Sequence, residues 1–412
     1  MKEWGFNEWA RRVRIKISGT VSDLLPNLVR DDAPITQYSR LRPQSVEGRK
    51  TILVVEARML TPDRDSGSHR MWEILKLLKE FGHSVTFATT DLEFREPYVS
   101  QLRNLGIEVI TSRDVSSIET YIQYVGPAFD VIILSRVIVA SRLMEWVRLN
   151  AANAKVIFDT VDLHFLREQR HSHLNQSQGL LAQAEALRRE ELDSAKKADI
   201  TLVVSSAEKE ILERIASGLR IEVLSNIHTL KGTKRPFSER EQILFLGGFE
   251  HAPNIDAVQF YVKEILPLLR KRIEGVKTFI VGSDPPVSVM ALAEEDVVIT
   301  GYVKELSPFF TGCRVFIAPI RYGAGVKGKV NMSMSYGLPV VGTSVALEGI
   351  GINATDGVDE MLADDPTVFA EKVVAIYNNE ELWKKLSANG LENVRKHFSP
   401  EVAKAVLKRI LQ

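Results

Sequence analysis

Residues 51–89 read TILVVEARMLTPDRDSGSHRMWEILKLLKEFGHSVTFAT. TILVVE (51–56) is a continuous apolar, β-branched run, as a strand covered on both faces requires. SHRMWEILKLLKEFG then sets Met71, Ile74, Leu75, Leu78 and Phe81 on one helical face, with Gly82 placed to close the helix. SVTFAT (84–89) is the next strand. Two covered strands joined by an amphipathic helix make a parallel βαβ unit, so the sequence predicts an α/β protein on parallel sheets.

The same alternation extends in both halves of the chain. Strands are expected at IEVIT (107), DVIIL (130), KVIFD (155), DITLVVS (199) and IEVL (221), and again at QILFLGG (242), VKTFIVG (276), VVITG (297), RVFIAP (314) and PVVG (339). Between the two sets, KGTKRPFSER (231–240) is polar and basic with Gly and Pro, as a linker would be. Two doubly wound, Rossmann-like domains in tandem are expected, 49–233 and 234–398. After Asp365 the pattern is helical through TVFAEKVVAIYN, Glu380–His397 and PEVAKAVLKRILQ.

The composition narrows the function. At about 150 residues per domain, 412 residues allow two or three domains. Lys plus Arg and Asp plus Glu are both 53, so no general field draws in nucleic acid or an anionic membrane. The single cysteine, Cys313, excludes an intramolecular disulfide framework and a multi-thiolate zinc site, fits a reducing cytoplasm, and is expected as a small buried residue. The longest apolar candidate, VIILSRVIVA from Val131, is interrupted by Arg136 and falls short of the roughly 18 residues of a membrane helix. Residues 1–48 stand outside the alternation as an N-terminal extension. There Trp4, Phe6 and Trp9 lie beside Arg11, Arg12, Arg14 and Lys16, which suits a packed extension or a membrane-surface or partner-binding arm.

Ligands of open parallel sheets bind beyond the carboxyl ends of the strands, so the loops there carry the chemistry. After RVFIAP comes RYGAGVKGK (321–329), where Gly323, Gly325 and Gly328 let backbone approach a ligand, and then a short helix from about Val330 to Tyr336. That order makes an anion pocket for a phosphate or diphosphate at a helix N-terminus, with Lys327 as the leading cation. Lys329 is expected as a solvated first-turn lysine or a second phosphate contact. A plain glycine-rich turn is the competing interpretation. Residues 323–328 form a GxGxxG-like string, but the Walker order GxxxxGK[ST] is absent and the loop after the first strand, with Gly67, lacks a GxGxxG fingerprint, so neither an ATPase nor a conventional NAD site is indicated. In GGFEHAPN (247–254), Gly247 and Gly248 can pass close to a ligand, and Asn254 is expected to cap the following helix.

In the first domain, DTVDLHF sets Asp159, Asp162 and His164 just after a strand, suited to acid, base or acceptor-binding work. His171 and His173 follow without standard zinc spacing. Asp63-Arg64-Asp65 is formally a DxD, but Ser66, Gly67 and Ser68 after it suit a turn and helix cap better than a metal site.

Taken together, APIRYGAGVKGKVNMSMSYGLPVVGTS, the strand-plus-GGF entry and ANGLENVRKHFSPE resemble glycosyltransferase family 4, of GT-B fold. RMLTPDRDSGSHRMWEILKLLKEFGHSVTF resembles the acceptor half of members that build bacterial surface polysaccharides and O-antigen. The resemblance spans roughly Lys50 to Gln412. It implies a retaining, hexosyltransferase-like enzyme with no cofactor and no metal ion, moving sugar from a nucleotide diphosphate sugar to a saccharide or lipid-linked saccharide. Residues 234–398 would hold the donor and 49–233 the acceptor, with the terminal helix 399–412 packing back on the first domain.

On matching positions, Lys327 would meet the diphosphate, while Gly323, Ala324, Gly325, Val326, Gly247 and Gly248 would line the donor. Ser66, Gly67, Ser68, Asp162 and His164 would face the acceptor, with His164 also a catalytic candidate. The family's spaced glutamates fall on Ala324 and Met332, and its basic pair on Gly248 and Pro253, leaving Arg321, Tyr322 or Asn331 as substitutes. The implied partners are a nucleotide sugar and a glycan or lipid-linked glycan, with no nucleic acid. The implied place is the cytoplasm, including the inner face of the membrane or a docking site on partner transferases. A noncatalytic GT-B scaffold or binding module and a nucleotide-sugar epimerase are the rival functions.

Overall fold

The computed structural model describes residues 36–351 and 357–412, so the aromatic and basic arm from Trp4 to Lys16 lies outside the described residues. Met1–Leu41 and Arg42–Gln412 separate as two units, and all the strands belong to the second.

The first sheet comprises β1 (Thr51–Glu56), β2 (Ser84–Thr89), β3 (Glu108–Ile110), β4 (Val131–Ser135), β5 (Lys155–Asp159), β6 (Ile200–Val203) and β7 (Ile221–Val223). The second comprises β8 (Glu241–Leu246), β9 (Thr278–Val281), β10 (Val297–Gly301), β11 (Cys313–Ala318) and β12 (Val340–Gly342). Neighbouring strands pair in parallel in both sheets. All six residues of β1 and all five of β4 are buried, which is why these runs are apolar throughout rather than alternating.

The spatial orders are β3-β2-β1-β4-β5-β6-β7 and β10-β9-β8-β11-β12. The order reverses between β1 and β4 in one sheet and between β8 and β11 in the other. At such a reversal the loops leaving adjacent strands turn to opposite faces and open a crevice beyond their carboxyl ends.

Eight helices position that crevice. They are α1 (Ser66–Glu80), α2 (Val137–Asn150), α3 (His164–Asn175), α4 (Gln178–Lys197), α5 (Ala252–Phe260), α6 (Gly328–Ser335), α7 (Glu380–His397) and α8 (Pro400–Leu411). Asp65 caps α1, its carboxylate accepting from the Ser68 amide, and Gly82 leaves the helix at φ +82°. α8 packs on α1, and Ala403, Leu407 and Ile410 join the same buried cluster as Ile52 and Ile74. Leu407 is fully buried, so Leu407→Ala should cost about 2–5 kcal/mol. No described helix is long and apolar enough to cross a membrane.

Candidate functional site

The two reversals face one another. On one side are the loops after β1, β4 and β5; on the other are those after β8 and β11. Adjoining cavities between them share Asp65, Ser66, His251, Asn254, Gly328 and Lys329 in their walls.

The loop after β11 comes closest to the opposite wall. Gly325 sits at φ +68°, and a Cβ there would lie 2.9 Å from Asp162 Cβ, so both its backbone conformation and its clearance require glycine. A Cβ on Gly328 would lie 2.7 Å from Ser66 Cβ. The first residues of α6 and α1 therefore meet across the crevice, bringing two positive dipole ends together.

Lys327 and Lys329 flank that meeting point. Lys327 Nζ donates to the Ala324 and Gly325 carbonyls at 3.0 and 2.6 Å, and burial pulls its ammonium down to about 8 despite the attraction of Glu348. Lys329 Nζ donates to Asn254 Oδ1 and sits 4.9 Å over the Phe245 ring. Burial and the charge of Lys327 pull it to about 7. The expectation of a solvated Lys329 is thus corrected: α6 starts at Gly328, two residues before the expected Val330, and carries this side chain inward. Two desolvated ammonium groups two residues apart repel each other, and a bound dianion would relieve both.

Asn254 does not cap its helix. α5 begins at Ala252 with Pro253 in its first turn, and Asn254 Nδ2 donates instead to Gly248 O at 2.6 Å, bracing the entry loop. Gly247 and Gly248 line the crevice beside it. Gly323, Ala324, Val326 and Tyr322 line its far end, and the Tyr322 ring stacks on His171 with centroids 4.5 Å apart. Met332 lines the near end, beside the stacked rings of His69 and His228. Burial lowers His228 to about 3, which keeps it neutral.

Two proposed substitutes lie elsewhere. Arg321 is bound to Asp256 and stacked over Phe260, outside the walls of these cavities, because its strand-end position turns it toward α5. Asn331 is fully buried in α6, where its side-chain amide has no hydrogen-bond partner among the described residues.

On the first-domain side, Ser66, Gly67 and Asp162 line the crevice, and Ser68 lines the adjoining cavity. Asp162 receives Arg167 at 2.7 Å and is held well below the usual carboxylate range: burial works against ionisation, but Arg167 and His164 outweigh it. His164 corrects a second expectation. It opens α3, its Nε2 lies 3.1 Å from Asp162 Oδ1, burial keeps it neutral, and it stands outside the walls of the cavities. Asp159 likewise turns away: its carboxylate takes Arg70 at 2.7 and 2.9 Å in a fully buried pair. Asp63 accepts from the Tyr98 and Tyr302 hydroxyls at 2.8 Å each, and Asp65 serves as the cap, so both DxD carboxylates are engaged.

Beneath this wall, Glu191 accepts from the His164 and Phe165 amides, and Glu208 from those of Leu163 and Val204. Burial pushes the two carboxyls up to about 8 and about 7. Arg136 and Val161 follow β4 and β5 at φ +75° and +66°, so the backbone beside the crevice is strained, most of all at β-branched Val161.

Sequence reasoning quoted His251 within GGFEHAPN without assigning it a role. His251 borders all three cavities of the crevice and is exposed to them, and desolvation by the groups around it lowers its pKa below 6.5 despite Asp65. Its place three residues after a glycine pair at a strand end was the available signal.

Residues 240–379 match the family described as Glycosyl transferases group 1. The "Uncharacterized 44.6 kDa protein in cps region" of Klebsiella pneumoniae is 24% identical over 176 residues, 40% of this chain and 45% of that protein, so the chain matches less than half of this relative's length. Similar solved structures include TarM (11% identity, TM-score 0.69, 88% of this chain and 99% of that one). Sucrose-phosphate synthase from Thermosynechococcus elongatus is another (17%, 0.67, 88% and 98%). HepE of Anabaena, in complex with UDP and glucose, is a third (11%, 0.64, 88% and 99%). At these identities the likeness is one of fold, and the fold is GT-B. The matched segment and the fold together support a glycosyltransferase.

Proposed function

We propose that the chain is a retaining glycosyltransferase that moves a sugar from a nucleoside diphosphate sugar to a saccharide or lipid-linked saccharide in surface-polysaccharide synthesis. The observation that carries this is the buried pair Lys327 and Lys329 at the N-terminus of α6, facing the first residue of α1 across the crevice. The match to a protein of a cps region supports the polysaccharide role.

In the transfer, the bond between the sugar's anomeric carbon and the diphosphate oxygen breaks, a bond to the acceptor oxygen forms, and the acceptor gives up its proton. Negative charge grows on the departing diphosphate. Two lysines and a helix N-terminus already in place stabilise that charge more than they stabilise the intact donor. The β8 and β11 loops hold the donor, and the walls around Ser66, Gly67 and Asp162 receive the acceptor. His251, neutral near pH 7, stands between the two as a hydrogen-bonding or proton-accepting group. Transfer needs no divalent ion, since the DxD carboxylates are held by Tyr98, Tyr302 and the α1 cap.

The test is turnover of UDP-, GDP- and ADP-sugars with saccharide and lipid-linked saccharide acceptors, with and without EDTA, reading the anomeric configuration of the product. Acceptor-dependent release of nucleoside diphosphate with retention, unaffected by EDTA, is expected. Lys327→Ala should slow it roughly 10²- to 10³-fold. Conversion of the nucleotide sugar without acceptor would favour an epimerase, and no turnover with any donor would favour a binding scaffold.

A further inference from the structure

The crevice has two unlike ends. Past Lys327 its walls carry Asp162 and Arg167, and this is the end that faces the acceptor. Past Lys329 they turn apolar, with Leu246, Val281, Val303, Leu306 and Met332. A nucleoside diphosphate sugar held at the two lysines, its sugar toward the acceptor, therefore lays its nucleoside in the apolar end. The ribose is joined directly to the diphosphate and so lies next to Lys329. Met332 follows Lys329 by three positions on α6, hence on the same helical face, and its thioether has no proton or charge to give a ribose hydroxyl.

Two imidazoles stand at that place. His69, from the first turns of α1, and His228, from the segment after β7, share both this cavity and an adjoining one with Met332, and their rings stack with centroids 5.6 Å apart. His228 is only 5% exposed; its amide is tied to the Phe398 carbonyl at 2.7 Å, but its ring nitrogens have no hydrogen-bond partner among the described residues. Burial holds both rings neutral. At His69 the charges of Lys76 and Lys231 act in the same direction, against Glu73 and the Ile227 carbonyl; at His228 those of His69 and Lys231 do. No free acid competes for a hydroxyl here: Asp63 is held by Tyr98 and Tyr302, Asp65 by Thr61 and the α1 cap, and Glu73 by Lys76.

We infer that His69 and His228 read the ribose of the donor, so that the protein selects ribonucleoside over 2′-deoxyribonucleoside diphosphate sugars. The inference rests on the reading of the crevice as a donor site. A neutral imidazole carries one donor and one acceptor nitrogen, and each ribose hydroxyl can both give and take a hydrogen bond, so two adjoining rings match a vicinal diol group for group. A buried ring nitrogen without a partner is costly to the fold, and a bound hydroxyl removes that cost. The lysines attract any diphosphate alike; the imidazoles supply the discrimination between nucleosides.

The test is calorimetric titration of UDP, GDP and ADP, each beside its 2′-deoxy counterpart. The proteins are wild type, His69→Phe, His228→Phe, His228→Gln and Lys327→Met/Lys329→Met. The His228 ring has no hydrogen bond to lose, and phenylalanine keeps a flat ring in the stack, so His228→Phe should melt with the wild type. Wild type should bind the ribonucleotide about three- to tenfold more tightly than the deoxy form, the worth of one hydroxyl hydrogen bond. His228→Phe and His69→Phe should each narrow that preference, and His228→Gln, which keeps an acceptor and a donor, should retain part of it. Equal binding of the two forms by wild type, or an undiminished preference in both phenylalanine variants, would overturn the inference; the wild-type comparison holds whether or not a variant folds. The two proposals fail differently. Equal ribo and deoxy binding that is still lost in the lysine variant would defeat the ribose reading and leave the donor site standing, whereas no binding of any nucleoside diphosphate would defeat both.

Discussion

The guanidinium of Arg170 and the carboxylate of Glu348 meet in a bidentate pair, both N–O distances 2.7 Å, and the same guanidinium donates to Gly323 O at 2.7 Å. Arg170 comes from α3 against the first sheet, while Glu348 and Gly323 belong to the second half. One charge-assisted bond therefore ties the loop bearing Lys327 to the opposite wall, and two more tie the segment after β12 to the same guanidinium. Arg170→Met should cost about 1–3 kcal/mol of stability and raise KM for the nucleotide sugar. A double-mutant cycle with Glu348→Gln, read by thermal melting and initial rates, checks this; full additivity with unchanged KM would show that the pair does not hold the loop.

The buried lysines set a pH dependence. Their folded values, about 8 and about 7, lie below the ordinary 10.5, so between pH 7 and 10.5 the unfolded chain holds more protons than the native one. Their burial cost is fully present below pH 7 and is lifted as pH rises, so these two groups make the ligand-free protein more stable toward pH 10. An anion favours the charged forms. Diphosphate binding near pH 8 should therefore take up protons and weaken as pH rises further. Titration calorimetry in buffers of different ionisation enthalpy measures the uptake; a binding enthalpy independent of buffer would contradict it.

The Arg70–Asp159 pair is buried, and Arg70 also donates to the Leu224 carbonyl. Asp159→Ala strands a buried guanidinium and should destabilise by about 3–5 kcal/mol. Chemical denaturation reads the loss; a change under about 1 kcal/mol would mean that water reaches the pair.

His251 should produce an acid limb in kcat/KM, with a midpoint below 6.5, as its ring protonates and stops accepting. His251→Gln should lower the rate and remove that limb. Persistence of the limb in the variant would assign it to another group.

Much of this was legible along the chain. Strands such as β1 and β4 lie in runs that are apolar because both faces are covered, and the glycines of 321–328 announced a close backbone approach. The contacts that complete the site were not legible. Arg170 and Glu348 lie 178 positions apart and Arg70 and Asp159 lie 89 apart, separations that leave no periodic trace. Strand order, which brings Arg58 and Arg136 to one cavity and His251 to the centre of the crevice, is likewise a property of pairing between distant segments. His164 and Asp159 misled because their neighbour Asp162 does face the crevice; which side chain of the loop turns outward is decided by its partner, Asp162 two residues away for His164 and Arg70, 89 positions away, for Asp159.

The central claim is that the lysine-bearing loop and the N-terminus of α6 hold a diphosphate, and calorimetric titration of UDP, GDP and ADP into wild type and Lys327→Met/Lys329→Met tests it directly. At least one nucleoside diphosphate should bind wild type, and loss of two charged hydrogen-bond donors should weaken it at least about 100-fold, while the ligand-free variant melts no lower than wild type. Equal affinity in the two proteins, or no binding of any of the three to wild type, would contradict it.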